Sequence, residues 1–142
     1  MIYYYLPIAL TIVSNVFYHI CQKFIPDNVN PILSLVITYL TAIVLSLVIL
    51  LFGLKDTSLL AEIRKVNWAS FALGASIIGL ELGFLLAYRA GWNISLGALV
   101  STIIVSLLLI PIGLTVFKET LTIQSGMGII LCIIGLVLIN IK

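Results

Sequence analysis

The chain alternates between long apolar runs and short polar breaks. Cutting it at Pro, Asn and clusters of charge leaves runs at 3–24, 32–54, 69–90, 95–117 and 122–141, each near the ~20 residues that cross a bilayer as a helix. The runs are continuous rather than alternating. A helix satisfies its own backbone hydrogen bonds in lipid, so five transmembrane helices and an all-α integral membrane fold are expected. The first run lacks the basic start and small-residue cleavage pattern of a signal peptide and is expected to stay in the mature protein.

The breaks carry their own structure. Pro26-Asp27-Asn28-Val29-Asn30-Pro31 is rich in turn formers, and Lys118-Glu119-Thr120-Leu121-Thr122 is short enough to be a turn. The longest connection places Leu59, Ile63 and Val66 on one helical face, with Glu62, Arg64 and Lys65 elsewhere. An interfacial helix over 58–66, capped by Thr57 or Ser58, follows from that pattern. Tyr3, Tyr4 and Tyr5 at one end of the first run and Phe24 at the other fit interfacial aromatic belts, as do Trp68 and Trp92 around the third.

Composition narrows the class. Hydrophobic residues make up 63% of the chain, mean hydropathy is +1.32, and charged residues are only 8%, whereas a soluble domain carries about 25%. Disorder is excluded, and a net charge of +2 provides no basic stripe for nucleic acid. Cys21 and Cys132 both fall in apolar runs and read as small hydrophobes.

The positive charges set topology. Five spans would put Lys55, Arg64, Lys65 and Lys118 on the amino-terminal side and Lys23, Arg89 and Lys142 on the other. Such a near balance fits two readings: chance in a short chain, or insertion both ways with pairing as an antiparallel, dual-topology homodimer. Among the acids, Asp27, Asp56, Glu62 and Glu119 sit in connections, while Glu81 lies near the middle of the 69–90 run. A carboxylate there costs ~2.5 kcal/mol or more on insertion scales and normally faces a cavity or a partner. It can exchange a proton or hold a cation; the structural alternatives are an ion pair with Arg89 or a permanently protonated acid.

Thr11, Asn15, His19 and Gln22 recur at helical spacing in the first run, with Tyr18 beside them. Thr11 and Gln22 are expected to join helices by hydrogen bonds. Asn15 and His19 can do the same or bind a ligand, and Asn15 is expected near the depth of Glu81. In the third run Ala75, Gly79, Gly83, Ala87 and Gly91 form a small-residue strip for helix packing, with Glu81 and Tyr88 directed away from it. In the fourth, Ala98, Thr102 and Ser106 form another, ahead of Pro111-Ile112-Gly113, where a kink is permitted.

Three stretches together resemble the EamA-type domain of the drug/metabolite transporter superfamily. Leu85-Leu86-Ala87-Tyr88-Arg89-Ala90-Gly91-Trp92 with Ser95-Leu96-Gly97-Ala98-Leu99 is similar to that family's third-to-fourth helix junction. Phe117-Lys118-Glu119-Thr120-Leu121-Thr122 resembles its hallmark turn, and Gly126 to Gly135 resembles the last helix of this family and of the small multidrug resistance transporters. The resemblance covers essentially the whole chain as a single domain, 1–142. It implies export from a plasma or inner membrane by a multi-pass protein, and an antiparallel homodimer like a ten-helix inverted-repeat transporter. It also implies dimer contacts at Gly128 and Gly135. In the smaller family a first-helix glutamate binds substrate and protons; the matching position here is Asn15, which leaves Glu81 as the carboxylate at the right depth.

The expected function is a secondary transporter for a small amphipathic metabolite or organic cation. Glu81 would couple or bind, Asn15 and His19 would hydrogen-bond the ligand, and Tyr18 or Tyr88 would offer an aromatic face. The partners are then a small, cationic-type substrate, the lipid bilayer and a second copy, with no cofactor, metal or nucleic acid. The alternative is a non-transporting membrane subunit or lipid-carrier-associated partner protein. Enzyme activity is not expected: His19 is the sole histidine, and no metal-ligand spacing or phosphate-cradling loop occurs.

Overall fold

A computed structural model describes residues 2–53 and 59–140. The positions of Lys55, Asp56, Thr57, Ser58 and Lys142, including the proposed cap of the interfacial helix, lie outside the described residues. Within them the chain is helical, with no strand. The helices are α1 (Ile2–Phe24), α2 (Pro31–Gly53), α3 (Leu59–Ile63), α4 (Trp68–Arg89), α5 (Ile94–Thr115) and α6 (Ile123–Asn140).

Local chemistry sets several of these ends. Asn30 accepts from the backbone N–H groups of Ile32 (2.9 Å) and Leu33 (3.3 Å), with Pro31 as first residue of α2, the position where a missing N–H costs nothing. Asn67 caps α4 by accepting from Ala69 N–H at 3.0 Å. At the other end of α4, Gly91 takes φ +96° and its N–H returns to the Tyr88 carbonyl, a left-handed closure that glycine adopts without a Cβ clash. Gly91 therefore serves the turn rather than extending the small-residue strip along the helix.

Four helices, α1, α2, α4 and α5, are long and apolar enough to cross a membrane. The fifth apolar run forms α6, which has 18 residues, about 27 Å at ~1.5 Å per residue. It begins at Ile123 because the turn after α5 occupies residues up to Thr122, whose side-chain oxygen then accepts from Ser125 N–H. The segment expected to form an interfacial helix over 58–66 is helical over Leu59–Ile63, and Glu62 within it pairs with Lys65 at 2.6 Å.

The chain divides into two compact units, Met1–Gly91 and Trp92–Lys142. In the first, α4 packs on both α1 and α2. The carboxyl ends of α1 and α4 meet, as Lys23 Nζ donates to the Tyr88 carbonyl at 3.2 Å. In the second, α5 and α6 pack together. Burial is inverted relative to a soluble protein. His19 and Gln22 are buried, while most Leu, Ile, Val and Phe side chains along the long helices are exposed. Apolar side chains facing outward around a few buried polar ones is the arrangement a hydrocarbon solvent favours.

Candidate functional site

The buried residues of the first unit gather at the carboxyl-terminal ends of α1 and α4 and the amino-terminal half of α2. Leu85, Tyr88 and Leu35 supply the apolar part, and His19 (9% exposed) and Gln22 (6% exposed) the polar part. Their positions follow helical spacing. Tyr18, His19 and Gln22 share the face of α1 turned to α4, and Glu81, Phe84, Leu85 and Tyr88 share the facing surface of α4.

Tyr88 Oη and His19 Nδ1 lie 2.8 Å apart. When the phenol donates, the imidazole is neutral with its hydrogen on Nε2. Phe84 holds both rings: its centroid is 4.7 Å from His19 in an edge-to-face contact and 5.9 Å from Tyr88 in a stacked one. Gln22 Nε2 reaches the Tyr18 hydroxyl at 3.2 Å and the Glu81 backbone carbonyl at 3.4 Å. Gln22 thus joins helices, as expected. Thr11 instead donates to the Pro7 carbonyl of its own helix at 2.9 Å.

Among the described residues Glu81 has no basic partner. Arg89 donates to the carbonyls of Pro26 (3.0 Å) and Val29 (2.8 Å) and lies 3.9 Å from the Asp27 carboxylate, so it clamps the α1–α2 turn instead of pairing with Glu81. The Tyr39 hydroxyl of α2 faces the Glu81 carboxyl. Among the described residues, Tyr39 Oη and Glu81 Oε2 are nonetheless both buried without a hydrogen-bond partner. Gln22 Oε1 shares that condition. An unsatisfied buried polar atom costs about 1–3 kcal/mol, so each calls for a physical account.

Tyr39 also lines a lateral groove of about 630 Å³ between α2 and α4, together with Ser46, Leu50, Gly74 and Ile78. The groove is almost wholly apolar, and Tyr39 connects it to the acid.

The site residues expected from the sequence separate. His19, Tyr18, Tyr88 and Glu81 come together around Phe84 and Gln22. Asn15 is exposed, one turn short of the covered part of α1, and Gln22 rather than Asn15 meets the Glu81 segment. Tyr88 is 4% exposed, with its hydroxyl engaged by His19. Ala75, Gly79 and Gly83 are exposed and Ala87 is half-buried. A methyl group at Gly79, Gly83, Gly128 or Gly135 would meet nothing within 4 Å among the described residues. At those glycines the strips have no neighbour among the described residues. Sequence reasoning missed Tyr39 and Phe84; the available signal was a tyrosine deep in the second run, away from either interfacial belt.

No known protein family, curated protein or solved structure matches the chain.

Proposed function

We propose that the chain is a secondary transporter subunit that moves a small amphipathic metabolite or organic cation, with Glu81 as the substrate or coupling carboxylate. The observation that carries this reading is the unpartnered Glu81 Oε2 facing an unpartnered Tyr39 hydroxyl in an apolar span. A cation or a proton satisfies both atoms, and the two compete for the same carboxylate, which is the chemical requirement for exchange. The adjoining α2–α4 groove offers room for the apolar part of an amphipath. In this reading α6 is a fifth span and the subunit is a single EamA-like domain. Two copies insert in opposite senses and alternate access between them. The open strips at Gly128 and Gly135 take the dimer contact, and the protein works as an exporter in a plasma or inner membrane.

The same open strips also favour a second reading, a membrane subunit that only holds an assembly with another protein. The two separate in proteoliposomes loaded with ethidium as an organic cation. The transporter reading expects a pH gradient to drive ethidium movement by the protein alone, and Glu81→Gln to abolish it. Full, pH-sensitive movement in Glu81→Gln refutes the role of Glu81. No movement by wild type, with stoichiometric co-purification of one larger membrane protein, supports the second reading.

A further inference from the structure

A separate cavity, polar and of about 230 Å³, lies at the joined carboxyl ends of α1 and α4 and is lined by Gln22, Lys23, Pro26, Asp27, Tyr88 and Arg89 among others. The site proposed above uses none of its charged groups. Arg89 Nε is buried with no hydrogen-bond partner among the described residues and has the Asp27 carboxylate at 3.9 Å, while the other end of the guanidinium is fixed on the Pro26 and Val29 carbonyls. Lys23 Nζ is held on the Tyr88 carbonyl and sits 5.9 Å from the Tyr88 ring centroid. Gln22 Oε1 is a buried acceptor without a donor. Asp27 stands at the rim with its side chain 85% exposed.

We infer that this cavity binds a phosphoester, with its oxyanion on Lys23 and Arg89 and a hydrogen-bond donor of the same ligand on Gln22 Oε1. Guanidinium and ammonium groups together recognise phosphate oxygens, and basic pockets between membrane helices take lipid headgroups. A bare anion fits poorly. The carboxyl ends of α1 and α4 bring partial negative charge to the same place, and Asp27 adds a full one. A ligand that carries a donor beside its oxyanion matches both signs. The cavity is below the ~300 Å³ of ordinary small-molecule sites, which suits a headgroup-sized ligand. The same chemistry can arrive on a lipid or as a free phosphoester.

Full-length protein in detergent micelles, heated with phosphatidylethanolamine, phosphatidylcholine or glycerol phosphate, tests this. The two lipids share a phosphodiester, but only the first has an ammonium that donates. Phosphatidylethanolamine is expected to raise the apparent melting temperature by several degrees more than phosphatidylcholine, since a ligand stabilises the state it binds. Lys23→Gln and Arg89→Lys should each at least halve that difference. Should Arg89→Lys fail to fold because it also clamps the turn, Lys23→Gln decides alone. Stabilisation by glycerol phosphate as well identifies a free phosphoester as the ligand, and stabilisation by the lipid only identifies the headgroup. Equal shifts from both lipids with none from glycerol phosphate, or a difference that survives Lys23→Gln, overturns the inference.

Discussion

Two glutamates, Glu81 in the middle of α4 and Glu119 in the turn after α5, show how differently one side chain can be accommodated. Glu119 is tied into its surroundings. Its backbone N–H returns to the Gly113 carbonyl at 3.0 Å, the preceding Lys118 takes φ 54° to allow it, and its carboxylate folds against the bare Cα of Gly113. A Cβ at Gly113 would lie 2.5 Å from Glu119 Oε2, so the glycine makes that close approach possible. The Glu119 side of the turn is exposed. Glu81 is half-buried and has no basic side chain paired with it among the described residues, and the group that faces it is the Tyr39 hydroxyl of α2. Glu119 is explained by the turn it closes. Glu81 has no such local explanation, and the proposed function gives it one.

The largest contrast should come from neutralising each acid in turn. Glu81→Gln is expected to lower ethidium transport at least tenfold, whereas Glu119→Gln leaves it within twofold. Equal losses from the two would erase the distinction drawn between them. Next in size is Tyr39→Phe. Removing the facing hydroxyl should reduce transport several-fold, yet leave stability in denaturant unchanged or raise it by up to ~1 kcal/mol, because a buried unsatisfied group disappears. A loss above ~1 kcal/mol would mean that the hydroxyl is a structural partner of Glu81.

Smaller effects are expected around Glu119. Lys118→Gly removes a side chain from a left-handed backbone position and should stabilise the second unit by roughly 0.5–1 kcal/mol; destabilisation would show that the lysine side chain itself holds the turn. Gly113→Ala should change stability by less than about 1 kcal/mol. The Glu119 carboxylate is the far end of a flexible, exposed chain and can swing aside, while alanine favours the helix by roughly 0.5–1 kcal/mol. Combining it with Glu119→Ala should remove any remaining penalty, and a penalty that persists would locate the clash elsewhere.

How much of this was legible in the sequence depends on range. The long helices follow from apolar run length against bilayer thickness, and Glu81 stands out because no other carboxylate falls mid-run. Caps such as Asn30 and Asn67 were also open to local reasoning. What the helices do to one another was not. The stripe Thr11, Asn15, His19 and Gln22 reads as one continuous face, but only the carboxyl-terminal part of α1 is covered by α4, so half the stripe enters the junction and Asn15 stays outside. Tyr39 and Glu81 are 42 positions apart in numbering, and their approach depends on how α2 crosses α4. Arg89 shows the same limit from another side. Its charge at a helix end reads as a snorkelling side chain, and only the path of the 25–30 turn converts it into a clamp on two carbonyls.

The central claim is that the Glu81 carboxyl exchanges a proton for a cation. Infrared difference spectroscopy of the protein in lipid, with and without ethidium, reads that exchange at the carboxyl group itself. A carboxylic-acid carbonyl band should be lost when ethidium binds the wild type. It should be lost in the same way in Glu119→Gln and be missing from the Glu81→Gln difference spectrum. A band that is unaffected by ethidium, or one that still responds in Glu81→Gln, would contradict the account.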